Sequence, residues 1–200
     1  MQRRPLLLRA AFFLGCLTVG CTAYAQQPGY ITDPRTGCKA FDPTADLFDS
    51  ITWSGTCQNG LAQGPGTLEW HNDGETVAKA QGEFDAGKQV GRGIFSNDIG
   101  ERYEGEFHDG NFSGQGTYVY SDGGRYDGAW REGVKSGAGT FLYAGGDRYE
   151  GSWANDTPDG PGTLTTKNGS KITGVWRDGC LTQEGQKMAV DLPTPSCVHR

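Results

Sequence analysis

Cysteines are the residues of this chain with the most definite chemistry. Outside an amino-terminal segment treated below, the 200 residues contain four of them, Cys38, Cys57, Cys180 and Cys197. An even number of cysteines is typical of disulfide bonding in a protein from an oxidising compartment. Four cysteines allow three connectivities, so the count alone predicts disulfides and leaves their pairing open.

Motifs for catalysis and metal binding are missing from the sequence. The histidines His71, His108 and His199 show neither HxH nor HExxH spacing, and no GxSxG motif occurs. Cys38 and Cys57 stand too far apart for a CxxC metal site. We therefore expect no catalytic, cofactor-binding or metal-binding residues, and we expect that the protein is not an enzyme.

Two weaker patterns could in principle provide ligand sites. Asp42, Asp46 and Asp49 could supply oxygens to calcium, but their spacing does not match an EF-hand loop, and we interpret them as part of a solvated linker. Five GxG pairs never extend to GxGxxG. Each pair closes a predicted hairpin instead of opening a helix after a strand, so we interpret these glycines as turn residues and not as a phosphate loop.

The first 25 residues have the pattern of a secretory signal peptide. A basic start, MQRRPLLLR, precedes the apolar run AAFFLGCLTVGC and the small-residue site AYA that ends at Ala25. The apolar run is short of the roughly 20 residues that a bilayer span requires. We expect cleavage after Ala25 and a periplasmic or secreted protein. The alternative is lipidation at Cys21, where TVG resembles a bacterial lipobox but Thr18 replaces the usual leucine.

Charge narrows the choice of partners. The formal net charge is −6, and loss of Arg3, Arg4 and Arg9 with the signal peptide makes it −9. Nucleic-acid binding needs clustered Lys and Arg, and adhesion to anionic lipid needs a polybasic segment. Neither is present, so we expect no nucleic-acid partner and no direct binding to anionic lipid.

Glycine reveals an internal repeat. The chain has 33 glycines, and one set of them falls between aromatic or apolar residues. The first two members of this set are 27 residues apart, and every later member follows the one before it by 23 residues. A second set, which includes Gly110, and the GxG pairs keep the same register. Six units cover residues 51–186, between a cap segment at 26–50 and a tail at 187–200. The glycines of the first set are Gly55, Gly82, Gly105, Gly128, Gly151 and Gly174.

Each unit is predicted to be a β-hairpin. In RYEGEF, residues 102–107, aromatic and charged residues alternate, and the alternation resumes after Gly116. Asp-Gly and Gly-rich segments between the two runs are typical of hairpin turns. Tyr103, Gly105 and Phe107 then share one face, where the glycine leaves a notch between two rings. We expect the ring of a neighbouring hairpin to fill it.

The two faces differ in chemistry. We call one the aromatic face and treat its side chains as core or as partner contacts. The opposite face carries basic residues in one column (Arg102, Arg125, Arg148 and Lys171) and acidic residues in the next (Glu104, Asp127 and Glu150), which we interpret as solvated, weak ion pairs without a ligand. The aromatic face consists of Trp53, Phe84, Tyr103, Phe107, Tyr118, Tyr126, Trp130, Phe141, Tyr149, Trp153 and Trp176.

The 23-residue pattern, close to YxGxWxxGxxxGxGxxxxxDG, resembles the MORN repeat. This resemblance covers about two thirds of the chain and implies an all-β fold, a single elongated, twisted antiparallel sheet of stacked hairpins. The sequence departs from the pattern at Ala80 and Ile172, which replace the tyrosine, at Asp156 and Gln183, which replace glycines, and by four extra residues within HNDGETVAK. We expect Asp156 to be tolerated, because aspartate accepts left-handed backbone geometry better than most residues.

The cysteines fit this arrangement at its two ends. Cys38 and Cys57 flank the leading strand of the first unit, and Cys180 and Cys197 follow the leading strand of the last. We expect local pairing, Cys38 with Cys57 and Cys180 with Cys197, so that each disulfide fastens one end of the sheet. A closed loop of about 20 residues could add on the order of 3 kcal/mol. The amino-terminal segment also resembles that of exported MORN-repeat proteins of Gram-negative bacteria.

The sequence is compatible with two functions. The first is a non-catalytic extracytoplasmic scaffold, since no helix or second sheet is predicted to cover the aromatic face. Twisting, self-association or a protein partner would then shield it, and the resemblance implies dimerisation and contacts with protein or lipid. The alternative is a carbohydrate- or envelope-binding module in the periplasm, because exposed aromatic rows also suit sugar rings.

Overall fold

The computed structural model describes residues 29–42, 48–183 and 186–189. These residues form one open sheet of sixteen strands and no helix, which confirms the predicted all-β fold. In chain order the strands are β1 Gly29–Thr32, β2 Lys39–Asp42, β3 Ser50–Trp53, β4 Thr56–Gln58, β5 Leu61–Asn72, β6 Glu75–Asp85, β7 Lys88–Asn97, β8 Arg102–His108, β9 Asn111–Val119, β10 Arg125–Arg131, β11 Val134–Leu142, β12 Arg148–Ala154, β13 Thr157–Thr165, β14 Lys171–Arg177, β15 Cys180–Gln183 and β16 Gln186–Ala189.

From β5 to β16 every strand pairs antiparallel with the next one in the chain. The repeat sets the register, so that Tyr103 on β8 lies opposite Tyr118 on β9, and Tyr118 lies opposite Tyr126 on β10. The same holds for the glycines, where Gly105 and Gly128 both pair with Gly116. The four extra residues lengthen β5 and β6 at the end where they meet.

The tight turns of successive hairpins are stacked on one another. Asp109 and Gly110 join β8 to β9 with φ of 51° and 79°, left-handed values that glycine adopts at least cost. The Gly110 N–H donates to the carbonyl of Gln89 in the previous hairpin at 2.9 Å. Asp156 replaces glycine at the corresponding position with φ of 67°, and its N–H donates to the Lys135 carbonyl at 3.2 Å. This confirms that aspartate is tolerated here.

The amino-terminal cap belongs to the same sheet. Strands β1 and β2 form a hairpin, and β2 meets β5 at one parallel pair, Lys39 with Leu61. The Phe41 N–H donates to the Gly87 carbonyl at 2.7 Å, which holds the cap against a hairpin turn. The Cys38–Cys57 disulfide, with Cα atoms 5.7 Å apart, joins the cap to β4 and confirms the first predicted pairing.

Buried aspartates organise the cap. The carboxylate of Asp33, which is fully buried, accepts hydrogen bonds from the Trp53 backbone at 2.9 Å and from Arg35. Burial alone would raise the pKa of Asp33, but these hydrogen bonds lower it well below its usual range. Asp42 is also buried and accepts from the indole N–H of Trp70 at 3.1 Å. The prediction of a solvated linker is therefore wrong for Asp42, while Asp46 lies outside the described residues.

At the other end of the sheet, Cys180 begins β15 and takes part in a disulfide. Its predicted partner, Cys197, lies outside the described residues, as do the signal segment 1–25 and most of the tail 187–200. The pairing of Cys180 with Cys197 stays a prediction.

Candidate functional site

Most of the predicted aromatic face is packed core. Tyr118 and Phe141 are partly buried, and the other nine predicted side chains are at most 6% exposed. These nine are Trp53, Phe84, Tyr103, Phe107, Tyr126, Trp130, Tyr149, Trp153 and Trp176. Such rings are unavailable to a ligand unless the fold opens.

The glycine notch is filled from its own strand. The Tyr126 ring lies over Gly128 and Gly139, which are cross-strand neighbours, and its hydroxyl donates to the Ala129 carbonyl at 3.0 Å. A Cβ added to Gly128 would lie 2.6 Å from the Tyr126 hydroxyl oxygen and 2.6 Å from the Gly139 Cα. Tyr103 and Tyr149 repeat this arrangement. The expectation that a neighbouring hairpin supplies the ring is therefore wrong.

Where the tyrosine is missing, another side chain covers the glycines. Ala80 leaves the Gly82–Gly93 pair open, and the Gln89 amide fills the space and donates to the Gln81 carbonyl at 3.0 Å. Ile172 leaves Gly174 open in the same way, and a leucine occupies the gap. The closest atom to a Cβ added at Gly174 is Cδ1 of Leu181, at 2.5 Å. In the first unit, the Trp53 ring covers Gly55 and Gly66.

The second aromatic of the last three units is a tryptophan that connects neighbouring hairpins. The indole N–H of Trp130 donates to the carbonyl of Gly116 in the preceding unit at 3.2 Å. Its ring meets Tyr103 and Tyr126 edge to face, with centroids 5.4 and 5.2 Å apart. Trp153 and Trp176 make the equivalent indole hydrogen bonds. Neighbouring repeats therefore interact through the tryptophan, which is the next residue after the notch glycine on the same face of the strand.

A second layer of side chains covers the rings and was missed in the sequence. It comes from the position just after each tight turn, which we call the covering column. Because its members differ in type, only their 23-residue spacing could have revealed them. Phe112 shows their role, since its ring stacks on Tyr103 with centroids 3.8 Å apart. The column consists of Gln89, Phe112, Lys135, Pro158 and Leu181.

Lys135 is the exceptional member of this column. It is buried, and its ammonium lies 5.2–5.7 Å from the centroids of four aromatic rings, donates to the Tyr120 hydroxyl at 3.0 Å and lies 3.9 Å from the Asp156 carboxylate. Burial lowers the pKa of Lys135, and Asp156 opposes that shift. The four rings belong to Tyr120, Tyr126, Phe141 and Trp153.

The opposite face of the same strands forms a groove. It crosses β6 to β12 with a volume of about 1200 Å³. Its floor is the backbone of the paired glycines, because the Cβ side of those glycines points to the tyrosine rings or, at Gly93, to the Gln89 amide. Charged and small polar side chains form its walls. We call this the polar groove, and its lining includes Arg92, Arg102, Glu104, Gln115, Thr117, Arg125, Asp127, Thr140, Glu150 and Ser152.

Ion pairs recur along the polar groove, as the alternating columns predict. Arg125 meets Asp127 at 2.7 Å on the same strand, and Asp127 also accepts from the Thr117 hydroxyl at 2.6 Å. The hydrogen bond from Arg125 lowers the pKa of Asp127, against the effect of burial. The equivalent pairs, Arg102–Glu104 and Arg148–Glu150, are both 2.7 Å long. The curvature that makes this face a groove was not predicted.

The model of the MORN repeat matches five consecutive segments, which together make up more than half of the chain. They are residues 53–75, 81–102, 103–125, 126–148 and 149–171. The chain belongs to the MORN-repeat family. The sixth predicted MORN unit falls beyond these matches, although β14 and β15 do form an antiparallel pair there. No curated protein matches the chain.

Most of the side chains that line the polar groove of the MORN sheet are charged, amide-bearing or hydroxyl-bearing. Within the described residues, no three His, Cys, Asp or Glu side chains come together as metal ligands would. The described residues also contain no helix that is long and apolar enough to cross a membrane. What the polar groove provides is paired charges, amides and hydroxyls around a bare backbone floor.

Proposed function

We propose that this MORN-repeat protein is a non-catalytic extracytoplasmic scaffold that holds a protein partner in the polar groove. The observation that carries the proposal is the groove itself, a concavity with a volume of about 1200 Å³ and with charged and hydroxyl-bearing walls. The aromatic face needs no partner to shield it, because the tyrosines, the tryptophans and the covering column bury one another. Among the described residues, the polar groove is a large concave surface that a partner can occupy.

A protein segment suits this groove better than a lipid or a sugar. Its walls alternate arginine with carboxylate, and the chain as a whole is acidic, which disfavours anionic lipid. The carbohydrate alternative depended on exposed aromatic rows, but nine of the eleven rings are buried and the other two are partly buried. No observation now favours a sugar ligand, and a second copy of the chain counts among the protein partners to be tested.

The extracytoplasmic location is supported by the Cys38–Cys57 disulfide, which is consistent with an oxidising compartment. The proposal includes an exported protein of the Gram-negative type, cleaved after Ala25 or anchored by lipid at Cys21. Intact mass of the protein from the envelope distinguishes these forms. A chain starting at Gln26 supports cleavage, and a chain starting at a lipidated cysteine supports the anchor, whereas an uncleaved chain in the cytoplasm contradicts export.

Site-specific photocrosslinking tests the groove as the binding site. A photoreactive phenylalanine analogue at Ala138, an exposed groove residue, should crosslink a partner in the native cell envelope. The matched control is Glu132, an exposed turn residue outside the groove lining. An adduct from Ala138 and none from Glu132, with the partner identified as a protein by mass spectrometry, is the expected result. Equal adducts from both positions, or none from Ala138, would contradict the proposal.

A further inference from the structure

The spacing of the polar groove defines the kind of segment that would fit it. Neighbouring strands lie about 4.8 Å apart, so one repeat of two strands advances about 9.6 Å along the groove. The Arg125–Asp127 pair therefore recurs at about that interval, as Arg102–Glu104 on one side and Arg148–Glu150 on the other. Because the groove is concave, the interval at the level of a bound segment is somewhat shorter.

Polyproline II is the conformation whose period matches this interval. It has three residues per turn and a rise of about 3.1 Å, so the same face returns every 9.3 Å or so. An α-helix presents the same face after seven residues, about 10.5 Å, and falls out of register by about 1 Å at each repeat. An extended β-strand returns to the same face after about 6.8 Å. A polyproline II segment can therefore place one side chain on every repeat.

The floor of the groove suits the same conformation. Gly105, Gly116, Gly128 and Gly139 line it with backbone alone, so a bulky pyrrolidine ring can approach closely. A polyproline II chain makes no internal hydrogen bonds, so its carbonyls remain free to accept. The exposed amide of Gln115, which lines the groove, is a suitable donor.

The charge that such a segment should carry follows from the exposure of the ion pairs. The side chain of Glu104 is 60% exposed, against 44% for Arg102, and that of Glu150 is 62% exposed, against 45% for Arg148. In these two pairs a single carboxylate oxygen lies within 2.7 Å of the arginine, which leaves the other able to accept a further donor. The central pair differs, because Arg125 donates to both oxygens of Asp127. The acidic chain adds a long-range attraction for basic residues.

We propose that the polar groove binds a proline-rich segment in the polyproline II conformation that carries a basic side chain at every third residue. This inference rests on the proposed function and specifies its partner. The basic side chains contact Glu104 and Glu150, which lie two repeats apart, and the prolines lie against the glycine floor. Six strand spacings, about 29 Å, accommodate about nine residues of such a segment.

Synthetic peptides test the proposal with the mature protein by isothermal titration calorimetry. The probe is the acetylated, amidated peptide RPPRPPRPPRPP, and the control RRPPPPRRPPPP has the same composition without the three-residue period. We expect the probe to bind about tenfold more tightly than the control, a difference of about 1.4 kcal/mol. Equal affinities would overturn the period. Tighter binding of EPPEPPEPPEPP would overturn the sign of the charge.

Variants locate the binding. Glu104→Gln with Glu150→Gln should weaken the probe about threefold to tenfold, because two exposed ion pairs are removed. The matched control, Glu132→Gln with Asp109→Asn, removes the same charge from exposed turns and should change affinity little. Equal losses would place the binding outside the groove. If no peptide binds while Ala138 still crosslinks a protein, the polyproline inference fails and the proposed function stands.

Discussion

The two faces of one strand differ in burial, residue by residue. On β10, Tyr126 and Trp130 are 0% and 6% exposed, whereas the side chains of Arg125 and Asp127 are 51% and 45% exposed. Within the described residues no helix or second sheet covers the aromatic face, and side chains of its own hairpins cover it instead. The opposite face is thus free of packing demands and can present charges at a fixed interval.

The paired glycines connect the two faces. The Tyr126 ring occupies the side of Gly128 where a Cβ would lie, and the backbone of Gly128 forms part of the groove floor on the other side. The closeness of that ring is the reason for glycine here, and the bare floor is a consequence of it. Substitutions on the aromatic face should therefore reduce stability, and substitutions on the groove face should change recognition.

Alkaline pH should affect the aromatic face most strongly. Burial raises the pKa of Tyr103 and of Tyr149 to about 12, and raises that of Tyr126 further. Above about pH 10 the unfolded chain releases these protons and the folded chain retains them, so stability falls as pH rises. We expect cooperative unfolding below pH 12, with tyrosinate absorbance at 295 nm appearing together with the loss of β-sheet circular dichroism. Gradual tyrosine titration near pH 10 with an intact sheet would contradict this.

Trp130→Ala should be the most damaging single substitution of those considered. It removes a buried ring in contact with Tyr103 and Tyr126, together with the indole hydrogen bond to Gly116. Loss of about 3–5 kcal/mol is expected in urea unfolding. Val175→Ala, on the exposed face of β14, is the control and should change stability by less than about 0.5 kcal/mol. Unchanged stability with lost partner crosslinking would instead make the aromatic face a ligand platform.

Gly128→Val tests the link between the faces. Valine is the better strand former by at most about 1 kcal/mol, but its Cβ would clash with Gly139 backbone and with Tyr126. Overpacking of this kind typically costs about 1–3 kcal/mol, so we expect a net loss of stability on denaturation. Gly145→Val is the matched control, since a Cβ there meets no atom within 4 Å. A gain in stability at Gly128 would show that the tyrosine cover does not require glycine.

The repeat, the hairpins and the two faces could be predicted from the sequence, because they follow from periods that are visible along the chain. Tyr103, Gly105 and Phe107 do share a face, and Asp156 does replace a left-handed glycine. The prediction of which ring fills the notch was wrong, because periodicity gives the face on which a ring lies and does not give the tilt of that ring. The hydroxyl bond of Tyr103 to the Glu106 carbonyl fixes that tilt.

The polar groove and the covering column were not predicted from the sequence, for different reasons. Curvature depends on how all strands twist together, and no local pattern encodes it. The covering column lacks a common chemistry, since Gln89, Phe112 and Lys135 share a position and little else. Each fits the local need: Gln89 fills the space that Ala80 leaves, and Phe112 stacks on Tyr103.

Lys135→Met should have a smaller effect, within about 1 kcal/mol of the native protein in either direction. Methionine keeps the length and the ring contacts of lysine and removes the cost of burying its charge. Lys135→Ala, which leaves a cavity, should lose about 2–3 kcal/mol. Because the pKa of Lys135 is lowered, its contribution to stability rises with pH up to the unfolded value of about 10.4, and the methionine variant should lack that rise. A loss of 3 kcal/mol or so in the methionine variant would show that the caged ammonium itself stabilises the fold.

Arg125→Ala should have the smallest effect on stability, because its ion pair with Asp127 is solvent-exposed on both sides. Such pairs contribute about 0–1 kcal/mol, so the midpoint of urea unfolding should hardly move. The chemistry of the groove should change all the same: without the guanidinium, the pKa of Asp127 rises toward its ordinary value, and only the Thr117 hydroxyl still opposes protonation. A carboxylate-detected NMR titration measures this shift directly. A loss of stability above about 1 kcal/mol with an unchanged Asp127 titration would mean that the ion-pair ladder serves the fold, and the division of labour between the two faces would then be wrong.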